Sequence, residues 1–144
     1  MKEIELAWAA GLFDGEGCVC ISKTKPKKLT WSYKYGLNVS IGMTHKETVK
    51  NLHRLFGGTY REVPPPSADK NWALQYRWRI NEKQAKSFIL AILPYSFTKK
   101  EQLMLALEYL DLPLGKSGTR PSGELIMKRE HCHVQMQCLN KRGK

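Results

Sequence analysis

Two carboxylates, Asp14 and Glu16, stand one glycine apart at the end of the apolar segment Leu6-Ala7-Trp8-Ala9-Ala10-Gly11-Leu12-Phe13. An acidic residue released from an apolar element suits a hard cation, because magnesium and calcium take oxygen donors. The chain around it is basic, with 24 Lys plus Arg against 13 Asp plus Glu and a formal net charge of +11. That surplus points to a polyanion, nucleic acid first and an anionic membrane second. A further set of residues has matching chemistry. Ser22 and Thr24, Asn38 and Ser40, and Gln75, Arg77 and Arg79 each recur at every second position. Arg, Asn, Gln and Ser are the donors that read base edges, and a β-ribbon can enter the major groove. Lys99 opens a helix, where its charge opposes the helix dipole; an anion contact accounts for it better than helix stability does.

Other classes fit less well. No apolar run is long enough to span a bilayer, and no basic amphipathic helix dominates. The N-terminus lacks the pattern of a signal peptide. We therefore expect an intracellular protein, in a prokaryotic cytoplasm or an organelle, with its cysteines as thiols. Cys132 and Cys138, with His131 and His133 nearby, fit zinc spacing poorly and read as ordinary residues. At 144 residues the default is one compact domain over 1–144.

The elements that must position these residues follow from periodicity and punctuation. A helix over Glu5–Phe13 is stopped by Gly15 and Gly17. A strand over Cys18–Lys25 leads through the basic connector Pro26-Lys27-Lys28 to a strand over Tyr35–Met43, in which Leu37, Val39, Ile41 and Met43 share one face. Thr44 through Glu47 reads as a capping box opening a helix to Phe56, closed by Gly57-Gly58. A short strand at Thr59–Val63 and a proline-rich loop precede a strand at Ala73–Ile80, with Leu74, Tyr76, Trp78 and Ile80 on its apolar face. Asn81 caps a helix ending near Leu93-Pro94. Thr98 through Glu101 is a further capping box, for a helix to about Leu110. After a loop from Pro113 to Gly123, a last helix covers Glu124–Leu139, followed by a basic tail. Two hairpins interleaved with helices predict an α+β fold with one antiparallel sheet.

Ala9-Ala10-Gly11-Leu12-Phe13-Asp14-Gly15-Glu16-Gly17 resembles the nine-residue signature of the LAGLIDADG homing endonucleases. The αββαββα order that follows looks like that family's fold over at least Leu6 to Leu110, and Leu93-Pro94-Tyr95 through Lys99 and Gln102 resembles its proline, basic residue and helix. The resemblance implies a curved antiparallel sheet that serves as a DNA-binding saddle, with extra C-terminal helices here. It implies a homodimer, because the chain holds one signature. Ala7, Gly11 and Gly15, spaced by four, with Ala10 and Asp14 beside them, then form the interface. Two-fold symmetry brings two Glu16 carboxylates near the axis, where cations must offset their repulsion. Glu16 and the Gly15 carbonyl are the implied ligands of Mg2+, with Mn2+ or Ca2+ as substitutes, and Ca2+ as a non-catalytic one. Lys99 stands at the family's basic site position, His45 where a glutamine is common, and Gln102 one turn beyond Lys99. The implied DNA-binding set is Cys20, Ser22, Thr24, Lys27, Lys28, Asn38, Ser40, Gly42, Gln75, Arg77 and Arg79. The implied activity is metal-dependent double-strand cleavage of a long pseudo-palindromic DNA target, by an intron-encoded enzyme. Rival readings are an intron RNA maturase and a non-cleaving DNA-binding protein on the same fold.

Overall fold

The computed structural model describes residues 1–27, 33–65, 73–113 and 120–141. Lys28 of the expected DNA-binding set and most of the proline-rich loop lie outside them. The first helix, α1, spans Glu3–Glu16. β1 (Gly17–Thr24) and β2 (Lys34–Met43) follow, then α2 (Lys46–Phe56), β3 (Thr59–Val63), β4 (Gln75–Ile80) and α3 (Glu82–Ile92). A 3-10 turn, Leu93–Tyr95, leads to α4 (Lys100–Leu110), and α5 spans Gly123–Lys141. The expected element order holds throughout. The sheet is antiparallel and open, in the order β1-β2-β4-β3.

Alternation divides the sheet into two faces. Val19, Ile21, Leu37, Val39, Ile41, Trp78 and Ile80 are buried on the inner face. The helices cover it with Phe13, Val49, Leu52, Phe88, Ile89 and Leu103. Phe88 is the hub, edge-on to Phe13, Phe56 and Trp78 at centroid distances of 5.6, 4.9 and 5.1 Å. Trp78 Nε1 donates to the Gly57 carbonyl at 2.9 Å, so burying the indole leaves no donor unpaired. At Gly58, φ is +79° and an added Cβ would lie 2.5 Å from the Arg79 carbonyl oxygen, so only glycine fits between α2 and β3.

Several sequence expectations need correction. Gly15 does not stop α1; the helix runs through Glu16. The glycine that matters is Gly17, where an added Cβ would lie 2.4 Å from the Phe13 ring, and this close approach allows a helix to turn directly into a strand. β4 begins at Gln75 rather than Ala73, which leaves Leu74 exposed and off the apolar face. The N-cap of α2 is His45 rather than Thr44. Lys99, not Thr98, occupies the N-cap position of α4, with no cap from its own side chain. β1 ends at Thr24, one residue early, and α5 is slightly longer than its pattern suggested.

α5 covers β1, which is an edge strand. His133 Nδ1 lies 2.6 Å from the Ile21 carbonyl oxygen, and Asn140 Nδ2 donates to the Val19 carbonyl at 2.9 Å. Glu130 pairs with Lys23 at 2.8 Å and accepts from the Tyr35 hydroxyl. Edge carbonyls that another chain could otherwise pair with are thereby occupied. Of the C-terminal His/Cys group, His133 is thus engaged at the edge, Cys132 is in the core, and His131 and Cys138 are exposed.

Candidate nuclease site and nucleic-acid interface

The outer face of the sheet is built by register. Cys18 pairs with Ser40 and Cys20 with Asn38 across β1 and β2. Ser40 pairs with Arg79, and Gly42 with Arg77, across β2 and β4. Ser22 and Thr24 continue the face on β1, opposite Gly36 and Lys34, and Gln75 continues it on β4. The expected DNA-binding residues within these strands therefore do share one face, and no strand position on that face carries a carboxylate among the described residues, the Glu82 carboxylate lying at its edge beside Gly36. Lys27 is exposed beyond the end of β1.

β3 adds two residues that the sequence reading missed. Thr59 is opposite Arg79, and Arg61 opposite Arg77. Both are exposed. The alternation of Thr59 and Arg61 was visible in the sequence, but no residue of β3 is fully buried, so no apolar phase marked which side was which.

The carboxylate end of α1 meets this face at the start of β1. Glu16 is the last residue of the helix and is exposed, as is Gly15. The final carbonyls of a helix lack partners within it. Here Phe13 O accepts from Gly17 N–H, and Asp14 O accepts from Lys99 Nζ at 2.7 Å. This resolves the apparent misplacement of Lys99: its ammonium sits at the negative end of α1 instead of remaining at the positive end of α4. The Gly15 carbonyl, whose residue four positions on is already in β1, remains as an oxygen donor beside the Glu16 carboxylate.

Asp14 joins the two helices. Its Oδ2 accepts from the backbone N–H groups of Phe97 at 2.7 Å and Thr98 at 3.1 Å, and Oδ1 accepts from Lys99 N–H at 3.1 Å. It caps α4 from outside and so replaces the expected Thr98 box. Asp14→Asn puts an amide donor against backbone donors and removes a charge from the positive end of α4. We expect a loss of about 1–3 kcal/mol of stability in urea unfolding. An unchanged denaturation midpoint would show that the clamp contributes nothing.

Cys18 reports the electrostatics where the elements meet. A hydrogen bond from the Cys20 thiol pushes its thiol down to about 6, and the charges of Lys99 and Arg77 act in the same direction against burial. Lys99 and Arg77 thus bear on the same atom two residues after Glu16. His45 lies four residues past Ile41, the β2 partner of Gly17, and so belongs to the same end of the sheet. Its Nδ1 accepts from Thr48 N–H at 3.3 Å, which leaves Nε2 as its free ring nitrogen. Gln102 is half-buried one turn into α4.

The remaining face of α1 is unusual. Ala7, Gly11 and Gly15 are exposed, and an added Cβ at Gly11 or Gly15 meets nothing within 4 Å. Glycine within a helix costs roughly 1 kcal/mol relative to alanine, and packing within the chain does not call for it at either position. Ile4 (74 % exposed), Trp8 (38 %) and Phe97 (89 %) lie exposed on α1 and on the turn that Asp14 holds to it. Ala10 departs from the expected stripe: it is fully buried in the chain's own core and has no surface to offer a partner.

A profile of the LAGLIDADG endonuclease family matches residues 9–109. Among curated proteins none matches the sequence. Similar solved structures include the homing endonuclease I-CvuI in complex with its target, at 18% identity over 99% of this chain and 85% of that one, with a TM-score of 0.78. An archaeal intron-encoded homing endonuclease complexed with DNA matches at 13% identity over 100% of this chain and 89% of that one, also at 0.78. I-SmaMI, bound to an uncleaved DNA target with calcium ions, matches at 18% identity over 96% of this chain but only 45% of its own, at 0.69. At these identities the likeness establishes the fold.

Proposed function

The chain belongs to the LAGLIDADG endonuclease family, and from that premise we propose that it is a site-specific homing endonuclease that cuts both strands of a pseudo-palindromic DNA as a homodimer. The observation that carries this reading is the meeting of three features at one point. The exposed Glu16 carboxylate, the Lys99 ammonium held on the Asp14 carbonyl, and the start of the polar, arginine-bearing sheet face come together where α1 turns into β1. The apolar core runs from Ala9 to Met136, so the whole chain acts as one endonuclease unit, its polar sheet face lying in the major groove.

Glu16 and the Gly15 carbonyl are the residues that would hold Mg2+, or Mn2+ or Ca2+ in its place. Their donor chemistry suits it: both offer hard oxygens at the negative end of a helix. The described residues of one chain bring together no group of three or more His, Cys, Asp or Glu. A bound divalent ion supplies an activated water and stabilises the leaving oxygen. Lys99 neutralises charge that develops on the phosphate. His45, whose Nδ1 accepts from Thr48 N–H and whose ring proton therefore sits on Nε2, donates that N–H to water or phosphate, and Gln102 orients water.

Two observations support the homodimer. Gly11 and Gly15 expose bare helix backbone with exposed Trp8 and Ile4 on the same helix. The chain also spans 45% of I-SmaMI, so two copies would span about nine-tenths of one such molecule. No helix among the described residues is long and apolar enough to cross a membrane. The gene context we propose is an intron, with the uninterrupted host allele as the target.

The test is a supercoiled plasmid carrying the joined flanks of the reading frame. Mg2+ should convert it to linear product and EDTA should prevent this; a plasmid left supercoiled at saturating protein and Mg2+ would overturn the reading. Lys27→Ala should weaken binding to every duplex alike and reduce the salt slope by about 1, as loss of one phosphate contact requires. A sequence-dependent loss would instead place Lys27 among the base readers.

A further inference from the structure

Asn38 was expected to read a base edge of its own. Its bonds on the outer face argue otherwise. Asn38 Oδ1 accepts from the Arg79 guanidinium, across the β2–β4 pair. In β1 the residue directly opposite Asn38 is Cys20. An asparagine that reads adenine needs both its oxygen and its nitrogen free to bond the base at two points. Here one lone pair of the oxygen is held by Arg79, so the amide is oriented toward the arginine rather than left free to present both groups to a base. Arg79 gains what Asn38 loses. An exposed arginine has many rotamers, and fixing one costs entropy when DNA binds. With one terminal nitrogen held by Asn38, the guanidinium is oriented in advance. Arg79 and Asn38 both border an open cleft of about 540 Å³, which Gly36, Thr59 and Glu82 also line, so there is open space beside the pair.

We propose that Asn38 is a positioning residue and that it and Arg79 read a single base pair as a unit, with the guanidinium bonding guanine O6 and N7. The inference rests on the sheet face being the DNA-reading surface. It adds a dependence that residue-by-residue readout excludes: removing either member of the pair relaxes preference at the same base pair.

The experiment uses the full-length protein and a duplex that the wild type selects from a randomised library. Binding is measured on that duplex and on all its single-base variants for Arg79→Ala, Asn38→Ala, the double variant and Asn38→Asp. Arg79→Ala should relax discrimination at one position of each half-site by about 5- to 150-fold, the affinity equivalent of one bidentate contact. Asn38→Ala should relax that same position by a smaller factor. In the Arg79→Ala background it should do nothing further, because its effect runs through the arginine. Asn38→Asp keeps an acceptor for the guanidinium and should retain the preference. Relaxation by Asn38→Ala at a different base pair, or full additivity in the double variant, overturns the pairing while leaving sheet readout intact. If Arg79→Ala and Asn38→Ala lower affinity equally for every variant, the pairing and the sheet-reading surface beneath it fail together.

Discussion

Glu16→Gln should leave DNA affinity within about threefold of wild type and lower the cleavage rate by on the order of 10³-fold, as loss of several kcal/mol of metal-assisted stabilisation implies. The two effects separate because the residue is exposed at the end of α1, where it supports no part of the core. The sheet face that would bind DNA lies on other elements. Glutamine keeps the size of the side chain and its neutral oxygen but gives up the charge that a divalent cation needs. Removing a negative charge beside DNA phosphates also reduces repulsion, so affinity measured without metal should stay level or rise slightly. Gel-shift titrations in EDTA and single-turnover cleavage in Mg2+ measure the two quantities. Cleavage by the variant at the wild-type rate would remove Glu16 from the site; a parallel collapse of binding would make it structural.

Gly11→Leu should produce a well-folded protein that no longer dimerises. An added Cβ at Gly11 meets nothing within 4 Å in the chain itself, and leucine exceeds glycine in helix propensity by roughly 1 kcal/mol. The isolated fold should therefore be as stable as before, or more so. In a dimer with α1 against α1, the new side chains lie where two backbones approach, and overpacking of this kind costs about 1–3 kcal/mol. Sedimentation should show a dimer for the wild type and monomer for the variant at micromolar concentration, with double-strand cleavage lost in step. A stable variant dimer would exclude this face of α1 as the interface. The opposing signs, stability kept and assembly lost, distinguish an interface glycine from one required by the fold.

Much of the fold was legible before any coordinate. Alternation in β2 and β4 is clean because one side is apolar and buried at its centre while the other carries only polar residues and glycine, so the periodicity alone separates core from reading face. The order of helices and strands followed from the same signal and from glycine and proline punctuation. Boundaries were less legible, for identifiable reasons. Gly15 reads as a helix stop, yet glycine can continue a helix when the next turn is held by tertiary contacts. The two Thr-x-x-Glu patterns satisfy a capping box in sequence, but neither threonine is the N-cap. His45 caps α2 with its own ring, and the Asp14 carboxylate reaches α4 from a helix more than eighty residues earlier.

The sequence by itself determined the residue types and, in β1, β2 and β4, their phase: which of those strand residues face the core, that two carboxylates follow an apolar helical segment, and that the surface is basic. These are local properties, encoded within a few neighbouring positions. Only the tertiary structure decided which chemistry meets which. It brought the Lys99 ammonium onto the Asp14 carbonyl, placed Arg61 beside Arg77, bound Asn38 to Arg79, and took Ala10 into the core while leaving Gly11 bare. The physical reason is that a side chain's bonding capacity is limited and is filled by whichever donor or acceptor the fold brings within about 3 Å. Sequence spacing does not encode that distance across elements, and a carboxylate or amide read as free can already be occupied by a distant strand or helix.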